Sequence, residues 1–240
     1  MFSQTITDFW QETFLGGEIL FRNDKLTLSA NPGLSEDRRA MLLQTADGRL
    51  MATLTPALAD RLGLYGQRDL SEPALRQRLG DGGVALHGAD HVFYFTETEQ
   101  RALPRQGGAG EPRLLTERDQ AIFAEFQASA SEQDLDDAYV ELDHWAVFGA
   151  LDGERLVSAA SMYRWGDAAI ADMGVLTLPP FRGRGHAARV VRALSGHACE
   201  QGHEPQYRCQ FDNLASAALA RAAGLTWFGK WEVISPDSAE

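Results

Sequence analysis

Apolar and polar positions in the second half of the chain follow regular patterns that predict alternating strands and helices. The segments 144–150 and 156–162 flank the turn Leu151-Asp152-Gly153, which is a strong β-hairpin signal. A further strand is predicted over 170–178. In 185–200 the apolar residues recur at the spacing of one buried helix face. The same patterns predict six other elements, in chain order a strand at 113–116, helices at 116–126 and 135–142, a strand at 207–211, a helix at 214–223 and a strand at 226–234.

The first hundred residues mix both patterns more weakly. Seven elements are expected there, namely helices at 8–15, 56–64 and 72–79 and strands at 25–30, 39–44, 50–54 and 91–96. The stretch 102–113 concentrates glycine and proline without apolar periodicity, which indicates a linker or an exposed crossover. We therefore predict an α/β protein with a mixed sheet, divided into an N-terminal α+β domain over 1–105 and a second domain over 111–240.

Composition is that of a globular protein with a buried core, since 44% of the residues are hydrophobic and 23% are charged. No apolar run approaches the ~20 residues that span a bilayer, and no secretory signal is visible, so we expect a cytoplasmic protein without membrane contact. Two cysteines cannot build a disulfide framework. The net charge of −12 argues against nucleic acid as a partner and would favour a cationic small substrate, although an acidic surface without any binding role explains it equally simply.

Candidate chemistry concentrates in the sequence PFRGRGHAA at 180–188, between a predicted strand and a predicted helix. Gly183 and Gly185 allow the backbone to approach a ligand closely. The helix that starts beside them presents free N–H groups and a positive dipole end, which suits a phosphate. Four arginines lie in this turn or just after it: Arg182, Arg184, Arg189 and Arg192. The sequence therefore predicts an anion-binding turn.

Two nucleotide-binding interpretations of this turn are disfavoured by its surroundings. The run 183–188 matches the dinucleotide pattern G-x-G-x-x-A, but residues 179–182 separate the glycines from the strand. In addition, Glu204 precedes the next strand instead of ending it, and no further βαβ unit follows. A nucleoside-triphosphate P-loop is excluded because no Lys-Ser/Thr pair follows the glycines.

The spacing Arg182-x-x-Gly185-x-Ala187 resembles the pyrophosphate-binding signature Gln/Arg-x-x-Gly-x-Gly/Ala of the Gcn5-related N-acetyltransferase (GNAT) superfamily. The longer run 172–185, DMGVLTLPPFRGRG, is also similar to that family. A single short signature of this kind is weak evidence, so a second motif is needed.

A second motif lies at the expected distance. Asn213-x-x-Ser216-x-x-Leu219 resembles the family's other coenzyme A motif, and the order of predicted elements also agrees. The resemblance covers 111–240. It implies a GNAT-like acyltransferase fold carrying an additional N-terminal α+β domain.

For function, the resemblance implies an enzyme that transfers an acetyl or other acyl group from acetyl-coenzyme A to a primary amine, by direct attack in a ternary complex and without a metal. Backbone groups of 175–177 would pair with the pantetheine arm, and amides of 182–187 would hold the pyrophosphate. The implied cofactor-binding residues are Val175, Leu176, Thr177, Arg182, Gly183, Arg184, Gly185, His186, Ala187, Asn213 and Ser216. The alternative is a non-catalytic module that binds acyl-coenzyme A.

The resemblance also suggests catalytic groups. Many relatives carry a carboxylate on the strand before the turn, which makes Asp172 a candidate general base; the other interpretation is that Asp172 pairs with a neighbouring arginine or the backbone. The family often has a tyrosine as general acid one residue after the position of Leu219, where this chain has Ala220. Tyr207 and Cys209 are the substitutes we consider, with Tyr207 as the candidate acid.

Several roles stay open from the sequence. Tyr163 and Trp165 either line an acceptor pocket or pack in the core, and the acidic run 132–137 either starts a solvated helix or forms an amine-recognising lip. The region 1–105 could be a degenerate copy of the same fold, an acceptor-selecting domain or an oligomerisation module. The expected partners are acetyl-coenzyme A and a small amine, and formation of a homodimer is left open.

Overall fold

A computed structural model provides the structure of the protein and describes residues 1–104 and 111–238. The helices in these ranges are α1 (Gln4–Leu15), α2 (Pro56–Arg61), α3 (Glu72–Asp81), α4 (Glu97–Arg101), α5 (Gln120–Ala128), α6 (Glu132–Ala138), α7 (His186–Glu200) and α8 (Leu214–Ala223). The strands are β1 (Glu18–Arg22), β2 (Leu26–Ala30), β3 (Ala40–Thr45), β4 (Leu50–Leu54), β5 (Asp90–Tyr94), β6 (Arg113–Leu114), β7 (Ala146–Asp152), β8 (Arg155–Arg164), β9 (Ile170–Thr177), β10 (Glu204–Gln210) and β11 (Thr226–Val233).

The predicted α/β class with a mixed sheet is confirmed, and most predicted elements are present with shifted ends. Strand β10 begins three residues before the prediction, because Glu204–Tyr207 form a parallel ladder with β9. Helix α6 starts earlier than predicted, where the Ser131 hydroxyl accepts a hydrogen bond from the backbone N–H of Asp134. Strand β1 and helix α4 were not predicted. None of the helices in the described ranges has the length and apolar character that crossing a bilayer requires.

The chain divides into two compact units. Unit 1 comprises Met1–Thr5, Phe93–Arg208 and Leu214–Thr226, and unit 2 comprises Ile6–Val92, Cys209–Asn213 and Trp227–Glu240. Residues 105–110 of the predicted linker lie outside the described residues. Unit 1 thus includes chain on both sides of the predicted boundary, whereas most of β11 belongs to unit 2. The division into domains at 105 and 111 stays a prediction.

Unit 2 contains a sheet in the order β1-β2-β4-β3-β11, in which β2 and β4 are parallel and the other pairs are antiparallel. Its leucine-rich core includes Leu28 and Leu42 from the strands, together with Leu58 of α2 and Leu75 of α3. Helix α1 buries Trp10, which stacks on Phe228 of β11 with ring centroids 5.7 Å apart.

Unit 1 contains the sheet order β10-β9-β8-β7-β6. Among the strands β6 to β10, the pair β9–β10 is parallel and the other neighbouring pairs are antiparallel. Successive side chains of β7 point to opposite faces of the sheet, and their contacts show which helices cover each face. Val147 packs with Phe123 and Phe126 of α5, whereas the next residue, Phe148, contacts His197 of α7 at 5.6 Å between ring centroids. Helix α7 therefore covers one face of the sheet, and α5 with α6 covers the other.

Candidate active site

Strands β9 and β10 pair over only part of their lengths. Their parallel ladder joins Ile170–Met173 to Glu204–Tyr207, although β9 continues to Thr177. On its other side β9 is paired with β8 along its whole second half. Within the described chain, the β9 edge over 174–177 therefore has no ladder partner on the β10 side, and its backbone groups can bind an extended ligand as an added strand would. Residues 175–177 of the predicted cofactor site lie on this edge.

The turn after β9 has the conformation that its glycines predict. Gly183 and Gly185 have φ angles of 75° and 79°, in the left-handed region that favours glycine. Helix α7 follows, and its first bond runs from the Arg189 N–H to the Gly185 carbonyl at 3.1 Å. The N–H groups of 186–188 therefore point out of the helix end, where the helix dipole is positive. Space is available there, because a Cβ built on either glycine meets no described atom within 4 Å.

Arg182 fixes the shape of the turn. Its Nε donates to the Thr177 carbonyl at 3.0 Å, and its guanidinium pairs with Asp134 of α6 at 2.8 Å. Arg182 thus joins the end of β9 to the acidic segment that the sequence suggested as a lip. The Arg192 guanidinium donates to two backbone carbonyls, one of them that of Ala223 at 2.9 Å.

Two further cations pack against Phe181. The guanidinium of Arg184 lies 5.3 Å from the centroid of this ring, and that of Arg155 lies 5.6 Å from it. At the start of α7, Arg189 lies 3.0 Å from Nδ1 of His186. In a protein with a net charge of −12, this turn carries a local concentration of positive charge that would favour an anion.

Asp172 lies one strand position before the end of the β9–β10 ladder and is buried. Its Oδ1 accepts a hydrogen bond from Gln206 at 3.0 Å, and its Oδ2 accepts from the Tyr163 hydroxyl at 2.8 Å and from Arg208 at 2.7 Å. The Arg208 guanidinium also lies over Trp165, 4.5 Å from the ring centroid. This geometry corresponds to the second interpretation of Asp172, a carboxylate paired with a neighbouring arginine.

Burial and the nearby Asp172 charge raise the pKa of the Tyr163 phenol well above its ordinary value. The phenol is therefore protonated at neutral pH and donates to Asp172. Trp165 is buried, which favours the packing interpretation for this residue.

An aromatic trio, defined as Tyr139, His144 and Tyr163, lies on the same sheet side as Asp172. Its ring centroids are 4.9 Å apart for Tyr139 and His144, 5.5 Å for His144 and Tyr163, and 5.6 Å for the two tyrosines. Tyr139 follows α6 with a φ of 46°, the one positive φ outside glycine in the described ranges. Such strained residues often occur at functional sites. Sequence reasoning did not find Tyr139 or His144, because neither belongs to a motif or a periodic pattern.

The trio lies close to the unpaired β9 edge. A Cβ added to Gly174 would be 1.8 Å from the carbonyl oxygen of Ala138, so the end of α6 rests directly on β9. Ser161 is the cross-strand partner of Gly174, and its Oγ lies 2.8 Å from Nδ1 of His144. Burial lowers the pKa of His144, against the opposing charges of Asp143 and Glu141. The imidazole is thus largely neutral at pH 7.

The other predicted residues divide between the two units. Tyr207 is buried, and its hydroxyl lies 2.8 Å from the hydroxyl of Ser216. Ala220 is fully buried, in keeping with its place on the inner face of α8. Asn213 and Cys209 fall in unit 2. The structure therefore brings Tyr207 and Ser216 together.

Comparison with known proteins identifies the family. A family profile described as GNAT acetyltransferase matches residues 111–234, just over half of the chain. The structure of an acetyltransferase from the GNAT family from Colwellia psychrerythraea has a TM-score of 0.52 and 19% identity, covering 81% of this chain and 80% of that one. A GNAT-family protein from Novosphingobium aromaticivorans has a TM-score of 0.49 and 16% identity, covering 79% and 84%. No curated protein matches the sequence. The structural likeness shows the fold.

Proposed function

The chain belongs to the GNAT acetyltransferase family, and we propose that it transfers an acetyl group from acetyl-coenzyme A to a primary amine. The observation that carries the proposal is the continuous path formed by the unpaired β9 edge and the glycine turn at the start of α7. An extended pantetheine arm fits the edge, and a pyrophosphate fits the turn.

The cofactor is held mainly by backbone. Amides of 182–187 bind the pyrophosphate oxygens, and the edge over 175–177 pairs with the amide groups of the pantetheine arm. Arg184 and Arg189 supply positive charge near the phosphates, while Arg182 holds the turn through Thr177. A ligand bound in this way places its thioester near the end of the β9–β10 ladder, since the arm runs along β9 away from α7.

The reaction proceeds by direct attack. A thioester needs no covalent enzyme intermediate to acylate an amine, so the protein has to bring two bound reactants together, remove a proton and stabilise the oxyanion. The acceptor approaches on the sheet side of α6, where the acidic run 132–137 and Glu141 favour a cation. The departing thiolate takes a proton from Tyr207, directly or through the neighbouring Ser216 hydroxyl.

The cofactor assignment is tested by Gly185→Glu, which puts bulk and negative charge at the turn. We expect calorimetric affinity for coenzyme A to fall by tenfold or more. Gly153→Glu is the matched control, because Gly153 has a φ of 62° and also faces open space, but lies in the β7–β8 hairpin. Equal affinity of the two folded variants would remove the turn from the cofactor site.

Activity is tested by release of thiol from acetyl-coenzyme A in the presence of spermidine, L-lysine, kanamycin or a lysine-containing peptide. Amine-dependent release by the wild-type protein supports acyl transfer. If the protein binds acetyl-coenzyme A but releases no thiol with any of the amines, the non-catalytic acyl-coenzyme A module would be favoured instead. The presence of alanine at position 220, where relatives often have tyrosine, already supports that alternative.

A further inference from the structure

Transfer to an amine requires a proton acceptor, and this requirement rests on the proposed function. An alkyl amine with a pKa of ~10.4 is an ammonium ion at neutral pH and has no lone pair for attack. Asp172 is poorly placed to accept its proton, since both carboxylate oxygens already accept hydrogen bonds and Arg208 pairs with Oδ2. A different base is therefore needed on the acceptor side of the sheet.

The hydrogen bonds of Ser161 are compatible with the tautomer of His144 that a base requires. The Ser161 hydroxyl can donate to the Tyr139 carbonyl at 3.5 Å, and its oxygen accepts from the Glu141 N–H at 3.4 Å. With its own proton directed to Tyr139, Ser161 Oγ accepts from the protonated Nδ1 of His144 at 2.8 Å. The opposite nitrogen, Nε2, then carries a free lone pair, and it makes no hydrogen bond within the described ranges. In this tautomer Nε2 of His144 can accept a proton.

The position of His144 agrees with such a role. Ser161 and Gly174 are directly opposed on β8 and β9, so their Cα atoms are about 5 Å apart. Gly174 is the first β9 residue beyond the β10 ladder, which is where the unpaired edge begins. The rings of Tyr139 and Tyr163 both pack against the imidazole, and this limits its rotation. The ring is fixed beside the place that the proposal gives to the thioester.

The charged groups around His144 suit a neutral imidazole that gains a proton during the reaction. Glu141 and Asp143, in its own loop, stabilise the imidazolium once it forms. From β8 the Tyr163 phenol faces the ring, with Asp172 and Arg208 behind it as a neutral pair. Just beyond the end of α6 the imidazole meets the ring of Tyr139, at 4.9 Å between centroids. The surroundings thus allow proton transfer in either direction.

We propose that His144 accepts the proton of the acceptor ammonium. The Nε2 lone pair takes one proton from the bound R–NH₃⁺, and the freed nitrogen lone pair forms the C–N bond at the thioester carbonyl. When the tetrahedral intermediate collapses, the C–S bond breaks and its electron pair stays on sulfur. The nitrogen loses its second proton, one proton ends on the thiolate, and the other leaves His144 for solvent. The products are the amide, free coenzyme A and one released proton.

The test uses the full chain with acetyl-coenzyme A and the best of the four amine probes named above. We expect His144→Gln to lower kcat by ~10²–10⁴-fold, while the calorimetric affinity for coenzyme A stays within threefold of wild type. His203→Gln is the matched control, since His203 packs against Trp145 outside the site, and its loss should leave kcat within threefold. Far-ultraviolet circular dichroism confirms that each variant is folded.

Two further measurements separate proton transfer from a structural role. The kcat profile of the wild type should rise with pH through an apparent pKa below 6.5, because burial lowers the pKa of His144 and only the neutral ring is active. This limb should be absent in His144→Gln. Added imidazole should raise the kcat of His144→Ala at least tenfold. If His144 had only a structural role, imidazole would not raise this kcat.

The outcomes are distinguishable. Amine-dependent activity in the wild type together with a His144→Gln kcat within fivefold overturns the role of His144 and leaves acyl transfer intact. Absence of amine-dependent thiol release in the wild type overturns the proposed function, and the role of His144 with it. A His144→Gln variant that loses coenzyme A binding as well, with no rescue by imidazole in His144→Ala, also overturns proton transfer in favour of a structural role.

Discussion

Replacement of Asp172 by asparagine distinguishes a buried positioning carboxylate from a catalytic one. The Asp172 side chain is 4% exposed and that of Arg208 is 22% exposed, so the ion pair is shielded from water. Asparagine keeps the shape of the side chain but removes the charge that Arg208 neutralises. It also replaces one acceptor oxygen with an NH₂ group that can only donate. Either orientation of the amide leaves at least one of the donors from Tyr163, Gln206 and Arg208 without its acceptor.

The expected cost follows from this loss. Removing one partner of a buried ion pair costs roughly 3–5 kcal/mol, and the partial exposure of Arg208 places Asp172→Asn at about 3 kcal/mol. For a protein of this size, each kcal/mol lowers Tm by about 2–4 °C, so a decrease of roughly 6–12 °C is expected. Calorimetry measures the shift. Asp143→Asn is the control, since that carboxylate is exposed, and its Tm should change by less than about 2 °C.

A second substitution tests the pairing directly. If Asp172 acts by neutralising Arg208, then Arg208→Gln added to Asp172→Asn should cost less than the sum of the two single changes, with a coupling of about 1–3 kcal/mol. Below the transition temperature, the folded Asp172→Asn variant should retain kcat within about tenfold. A stable variant, with Tm within 2 °C of wild type, intact coenzyme A binding and a kcat lowered ~10³-fold, would refute this reasoning and restore Asp172 as the base.

Three further predictions follow from the structure. Burial, and then the charge of Glu204, raise the pKa of Cys199 to about 12. Iodoacetamide at pH 8 should therefore alkylate Cys199 at least 100-fold more slowly in the native protein than in urea, as measured by mass spectrometry of the peptides. Equal rates would contradict the burial. Gly174→Ala should cost about 2 kcal/mol in chemical denaturation, because its Cβ would collide with backbone, whereas Gly80→Ala in α3 has open space and should be neutral or stabilising. The native pKa of His144 lies below the unfolded value of 6.5, so the contribution of His144 to stability is complete above pH 6.5 and is lost as the pH falls below 6.5. As the pH is lowered, the Tm of His144→Gln should therefore decrease less than the Tm of the wild type. Parallel curves of Tm against pH would disprove the shift.

The glycine turn before α7 could be predicted from sequence because its determinants are local. Left-handed backbone at Gly183 and Gly185 is a property of those residues, and a helix start needs only the few residues after it. The short helix α4 could also have been found, since Thr96 and Glu99 form a capping box. Strand β1 could not, because none of its five residues is fully buried and the alternation that marks a strand is absent.

The groups on the acceptor side were inaccessible to sequence reasoning for a different reason. Asp172 is 36 residues from Arg208, and Ser161 is 17 residues from His144, so each partnership exists only once the strands are paired. A sequence pattern identifies Asp172 as a carboxylate near the turn, but it does not identify Arg208 as the residue that pairs with this carboxylate. For His144 the only local signal is a histidine within an acidic loop, which is typical of many solvated segments.

In the proposed reaction, proton supply at the two ends of the thioester has a different structural basis at each end. On the acceptor side, His144 is half-buried and can exchange its proton with solvent once the amide has left. On the other side, the Tyr207 hydroxyl is buried and bonded to Ser216, so a proton given to the thiolate must be replaced through that hydroxyl. If Tyr207 is the acid, Tyr207→Phe should remove a falling limb at high pH from the kcat profile and leave the limb of His144 unchanged. If the profile of Tyr207→Phe equals that of the wild type, water protonates the thiolate, and the alanine at position 220 then carries no catalytic cost.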